Sequence, residues 1–304
     1  MRICRTGVAI LLSSAFSSAV AQRPAVTSHV TVIARDGKSK KVVFSSPRLF
    51  EAPNWSLDGK YLVLNSEGKL WRLAVAGGEP ELIPTGSVRG INNDHGVSPD
   101  GTQVAISAGQ IFVLPFVGGT PRQVTEKAPS YFHGWSPNGR SLVYCARRDN
   151  NFDLYSIPVE GGAEKRLTTH PGYDDGPEHS PDGKWIYFNS DRTGSWDIWR
   201  IPAEGAGVDD ARARRITSDE LEDWFPHPSP DGRWLLFISF AKGTKGHPAN
   251  QNVVLRMMRL PGAKPAPGKI REVVRLFGGQ GTINVSSWSP DSKRFAYVSY
   301  SLVQ

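Results

Sequence analysis

A nine-residue phrase, SPDGKWIYF from Ser180, recurs as SLDGKYLVL from Ser56, SPDGTQVAI from Ser98, SPNGRSLVY from Ser136, SPDGRWLLF from Ser229 and SPDSKRFAY from Ser289. Repetition constrains a fold more than composition does, because every copy must build the same unit and bury its apolar face against the next. The third residues, Asp58, Asp100, Asn138, Asp182, Asp231 and Asp291, lie 42, 38, 44, 49 and 60 positions apart. That spacing suits one four-stranded blade per copy, with insertions in the later ones. Proline pre-sets φ at the second turn position, Asp or Asn suits the third, and glycine relieves the exit, so each tetrapeptide reads as a tight hairpin turn. Asp182 is therefore a turn residue, despite the ionisable groups crowded around it in PEHSPDGKWIYFNSDR.

A second element follows the hairpins: LWRLAVAGGEPELI, IFVLPFVGGTPRQVT, LYSIPVEGGAEKRLT, IWRIPAEGAGVDDARARRIT and LRMMRLPGAKPAPGKIREVVRL. These segments alternate like paired outer strands joined by a Gly-rich turn. The sixth pair stands at the start of the chain, VTVIARDGKSKKVVF from Val30, while the last inner pair is INVSSWSPDSKRFAYVS. The expected fold is all-β: a six-bladed β-propeller over residues 22–304, closed by N-terminal outer strands pairing with C-terminal inner strands. Closure of that kind removes the exposed edges of an open sheet.

The SPDG-type hairpins, the preceding tryptophan in WSLDG, WSPNG and WSPDS, and endings such as GGAEKRLT resemble the TolB-like, Pro-Asp (WD40-like) class of propeller repeat. The resemblance covers essentially the whole mature chain. It implies the propeller fold, and a scaffold, receptor or enzyme role, since such propellers serve all three. The short stretch between Gln22 and Val30 leaves no room for the separate domain that precedes the propeller in TolB itself.

The N-terminus, MRICRTGVAILLSSAFSSAVAQ, places two arginines before an apolar run and ends in Ala19-Val20-Ala21. This is the pattern of a secretory signal peptide over residues 1–21, with export to the periplasm or beyond. The run is too short to span a bilayer, so no stable membrane span is expected after cleavage. Cys4 would leave with the signal, and Cys145 alone cannot form an intramolecular disulfide. The formal charge of +7 comes from scattered residues rather than a Lys/Arg block, which excludes a nucleic-acid arm and fits contact with envelope polymers.

In a propeller the innermost strands run from one mouth of the channel to the other, so residues counted back from the turns can be aligned. Seven back from the turn Asp/Asn lie Glu51, Asn93, Tyr131, Asp175, Trp224 and Asn284, all able to hydrogen-bond, at the mouth opposite the turns. Five back lie His95 and His133; four back, across the pleat, lie Glu178 and His227. His179, in the slot that holds Trp55, Trp135 and Trp288 elsewhere, reads as an inter-blade packing residue. Loops on the same mouth add Arg192, Trp196 and His247, and the links between blades add Asn92, Asp94 and Tyr173. The expected ligand-binding set is Asn93, His95, Tyr131, His133, Asp175, Glu178, Arg192, Trp196, Trp224, His227 and Asn284. Aromatic rings would stack on apolar ligand faces while polar groups fix orientation. The competing view is that loop tips are polar by default.

His95, His133, Glu178 and His227 would together offer nitrogen and oxygen ligands for a divalent transition metal, although no H-E-x-x-H spacing is present. No G-x-S-x-G elbow, phosphate-binding loop or dinucleotide motif occurs. Two functions follow as expectations. The first is an envelope module that binds a protein, peptide or saccharide. The second draws on a similarity to oligogalacturonate lyases, propellers with a histidine-rich metal site. It implies a metal-assisted enzyme on an acidic saccharide, in which a metal and arginine neutralise a uronate carboxylate while a base removes the neighbouring proton.

Overall fold

The computed structural model describes residues 25–260 and 269–303, so the expected signal peptide lies outside the described residues. Six sheets are arranged as the blades of a propeller. Blades 1 to 5 each contain four antiparallel strands in sequence order, with innermost strands Glu51–Trp55, His95–Val97, Ser130–Trp135, Asp174–His179 and Glu222–Pro228. Among the described residues no helix is long and apolar enough to cross a membrane.

Blade 6 closes the ring. Val26–Ala34 pairs antiparallel with Arg294–Leu302 from Val26↔Leu302 to Ala34↔Arg294, and Lys40–Ser46 lies outside it. The inner edge of this blade is not a regular strand. It contributes one bridge, Trp288↔Phe295, because the chain before it is folded into a turn in which the Gly279 N–H donates to Thr282 Oγ1 and the Gly281 N–H to Asn284 Oδ1.

The repeated phrase is a hydrogen-bonded device. In blade 4 the Ser180 hydroxyl donates to Asp182 Oδ1 at 2.6 Å and accepts from the Trp185 N–H at 3.0 Å, which ties the turn to the returning strand. The same pair of bonds recurs from Ser56, Ser98, Ser136, Ser229 and Ser289. The last turn position is left-handed throughout, which explains the glycines. Blade 6 holds Ser292 there at φ 58, and its hydroxyl accepts the Asp231 N–H from blade 5 at 2.9 Å. That bond offsets a backbone cost of about 1–2 kcal/mol.

The core is an annulus of interfaces between neighbouring blades. Leu236, Ile238, Leu255 and Met257 of blade 5 pack on Ile33, Phe295 and Tyr297 of blade 6. Tryptophans before the turns reach back one blade: Trp135 Nε1 donates to the Gly96 carbonyl and Trp288 Nε1 to the His227 carbonyl, both at 2.9 Å.

Candidate functional site

Bulges in the innermost strands decide which side chains meet the channel. The register slips between Glu51 and Asn54, Phe132 and Gly134, Asp175 and Glu178, and Trp224 and His227. In blades 1, 4 and 5 the slip contains a left-handed residue, Ala52 at φ 55, Gly176 at φ 62 and Phe225 at φ 52, whereas in blade 3 the extra residue is His133 itself, without left-handed backbone. An extra residue in a strand reverses the alternation beyond it. Blades 1 and 4 therefore present their seventh- and fourth-back residues, Glu51 with Asn54 and Asp175 with Glu178. Blades 2 and 3 present the seventh and fifth, Asn93 with His95 and Tyr131 with His133.

At the mouth opposite the turns lies a cavity of about 520 Å³. One wall is polar: Glu51, Asn65, Asn92, Asn93, Asp94, Gln280 and Asn284. Asn65 and Asn93 turn their amide N–H groups to the two oxygens of Glu51 at 3.3 and 3.4 Å, and Gln280 donates to Asn93 Oδ1 at 3.1 Å. The facing wall is aromatic. Phe152 and Tyr173 stack at 4.5 Å, with Tyr131 beyond Phe152 at 6.4 Å. Among the described residues no lysine or arginine lines this cavity. At its rim Glu67 pairs with the half-exposed Arg48 at 3.9 Å.

The floor is an ion pair. His133 Nε2 meets Asp175 Oδ1 at 3.0 Å, and Phe225 stacks on the imidazole at 6.0 Å. Burial disfavours the imidazolium, but the Asp175 hydrogen bond and charge outweigh it and hold the His133 pKa above its ordinary value. For Asp175 burial is likewise the largest influence, yet the His133 contact holds the carboxyl below its usual range. Asp94 behaves oppositely. Burial raises it to about 6, with His133 opposing and Asp175 and Glu51 reinforcing that rise.

A second, more apolar cavity of about 290 Å³ opens at the turn side, among Trp55, Trp135, Trp288 and the turn prolines. His133 lines both cavities and marks the waist between them.

Of the expected site residues, the structure brings Asn93, Tyr131, His133, Asp175 and Asn284 together around the first cavity. His95 and Glu178 lie beyond the waist, in the second. His227 is buried with Nδ1 at 2.6 Å from Glu178 Oε2 and Nε2 at 2.5 Å from the Ile283 carbonyl, so it bridges blades 4 and 6. Trp224 and Trp196 pack on each other at 3.8 Å in the core, because the insertion after blade 5's second strand lays His247 over Trp224 at 4.4 Å. Arg192 is a buried strut, donating to Asp174 at 2.8 Å and Asp210 at 3.2 Å.

The expected metal quartet is not assembled. Its histidine nitrogens are directed to the Val63 carbonyl, Asp175, and Glu178 with Ile283. Among the described residues no three His, Cys, Asp or Glu side chains gather as a metal would require. The residues present do not fit a metal centre of that composition.

Asn65, Phe152, Phe225 and Gln280 are cavity residues absent from the expected set. Asn65 and Phe152 flank loops between second and third strands, so the rule that those loops open on this mouth could have found them. Phe225 reaches the cavity only through its left-handed backbone, and Gln280 only through the turn that replaces blade 6's inner strand. Neither has a local sequence signal.

Four likenesses bear on kinship. A family model described as the TolB beta propeller domain matches residues 127–260. The chain is 49% identical over 270 residues to the uncharacterized protein Atu1656 of Agrobacterium fabrum, covering 86% of this chain and 89% of that one. A solved structure from Agrobacterium tumefaciens, provisionally named TolB, is 47% identical with a TM-score of 0.85, covering 91% of this chain and 99% of the other. TolB from Acinetobacter baumannii, 19% identical with a TM-score of 0.60 over 81% of this chain and 65% of its own, shares the fold. On these likenesses the chain belongs to the TolB-like β-propeller family.

Proposed function

We propose that the protein is an exported binding module of the cell envelope that takes a small polar group, neutral or positively charged, from a saccharide or peptide into the 520 Å³ cavity. The observation that carries this reading is the pairing of a carboxylate- and amide-rich wall with a stacked aromatic wall, without lysine or arginine among the described residues that line it. Such walls hydrogen-bond a ligand on one side and stack on its apolar face on the other. The signal-like N-terminus supports export.

The acidic-saccharide enzyme expected as the alternative is disfavoured by the same charges. A uronate carboxylate entering this cavity would meet Glu51, Asp94 and Asp175, and like charges at short range cost several kcal/mol.

The test is a titration of the mature protein, followed by tryptophan fluorescence and NMR shifts, with neutral oligosaccharides, basic peptides and oligogalacturonates. Neutral or basic ligands should bind, oligogalacturonates should not, and Phe152→Ala should weaken binding by about tenfold, roughly the loss of one stacking contact. Preference for oligogalacturonates, or indifference to Phe152→Ala, would overturn the reading.

A further inference from the structure

We infer that the polar wall of the cavity is a receptor for a protonated aliphatic amine, held between Glu51 and Asp94 while the body of the ligand lies on Phe152 and Tyr173. This rests on the binding role proposed above and narrows it to one ligand chemistry.

Three independent observations converge. The first is charge. In a chain with a formal excess of +7, the cavity carries four carboxyl groups, Glu51, Asp94, Asp175 and, at the rim against Arg48, Glu67; among the described residues that line it, the one side chain held toward its cationic form is His133, already engaged by Asp175. A low-dielectric cleft lined by one sign of charge concentrates ligands of the other.

The second is hydrogen bonding. Asn65 is 4% exposed and lines the cavity; its Nδ2 donates to Glu51, and its Oδ1 has no donor among the described residues. An ammonium group brings three donors and no acceptor, which complements this acceptor-rich wall.

The third is the energetic standing of Asp94. It lies at 6% exposure, with the Asn92 amide on Oδ2 at 2.5 Å and Glu51, His133 and Asp175 as its charged neighbours, and burial keeps it reluctant to ionise. A cation seated beside it would relieve that penalty, so binding should tighten as pH rises through about 6.

The experiment is calorimetric titration of the mature protein at pH 5.0 and 7.5 with two amine probes, glucosamine and Nα-acetyl-lysine amide, each beside its neutral counterpart, glucose and Nα-acetyl-norleucine amide. These arms separate an amino sugar from a lysine-type amine. At least one amine should bind at least tenfold tighter than its counterpart at pH 7.5, and weaken at pH 5.0. Asp94→Asn should abolish that preference, bringing amine and neutral counterpart to equal affinity. Glu51→Gln should do the same; if it fails to fold, Asp94→Asn still decides the matter. Equal binding of amine and neutral partner, or an amine preference that survives Asp94→Asn, would overturn the inference while leaving the binding role standing. Binding by none of the four, when the broader panel of saccharides and peptides does bind, also overturns it. Silence across both panels removes both readings.

Discussion

At the scale of single residues, the cavity sets ligand recognition against stability. Asp94 has its carboxyl raised from 3.8 to about 6, chiefly by burial. A carboxyl raised on folding binds its proton more tightly in the native state. Its ionisation therefore costs nothing below about pH 4 and destabilises increasingly until the pH passes about 6. Asp94→Asn should thus stabilise the protein by on the order of 1–3 kcal/mol at pH 7.5, and the gain should vanish near pH 4. Urea unfolding of both proteins at the two pH values measures this. A variant no more stable at pH 7.5 would show that neighbouring Asn92 and His133 already compensate the charge, and a gain independent of pH would show that it does not arise from Asp94 ionisation. The buried Glu178–His227 pair is of a different kind. Its contact at 2.6 Å, with His227 Nε2 against the Ile283 carbonyl on the other side, joins blades rather than facing the first cavity.

At the scale of the strand, the bulges are what build the site. The slot that is Ala52 in blade 1 and Phe225 in blade 5 is Gly176 in blade 4, all left-handed. At Gly176 a Cβ would come within 2.6 Å of Asn189 Oδ1 and 3.2 Å of the Phe225 ring. Asn189 Oδ1 is also the acceptor for the Phe225 N–H at 3.0 Å, so the methyl group would push apart the bond that seats Phe225 beside the waist. Gly176→Ala should cost about 2–3 kcal/mol, from left-handed strain plus the clash. Chemical denaturation checks it, and a loss below about 1 kcal/mol would mean that the bulge yields freely.

For the whole molecule, the ring stands or falls with its closure. Val30 is fully buried, midway along the strand that pairs the two ends of the chain, and packs in the cluster shared by blades 6 and 1. Val30→Asp would bury an unpaired carboxyl there, a loss of about 3 kcal/mol or more. Because every blade packs on both neighbours, that loss should lower the midpoint of one common transition, seen alike by tryptophan fluorescence and by far-ultraviolet circular dichroism. Separate transitions would show that blade 6 opens alone and that closure does not couple the ring.

What the sequence by itself determined was the architecture. Six copies of one turn phrase impose the same short-range chemistry at each hairpin, Ser to Asp or Asn and back to the strand, and blade-length spacing between them leaves a closed ring as the way to cover every blade. It also placed Asn93, Tyr131, His133, Asp175 and Asn284 at one mouth, because five to seven residues of chain back from the turn reach the far end of the channel whatever the phase of the pleat. The composition of the cavity was decided only in three dimensions. Left-handed bulges change the phase in blades 1, 4 and 5, so Glu178 falls beyond the waist, where the unbulged strand of blade 2 also places His95. The long insertion of blade 5 covers Trp224, and buried partners claim Arg192 and His227. Side-chain direction past a bulge depends on packing against the next blade, a long-range contact that no local pattern encodes.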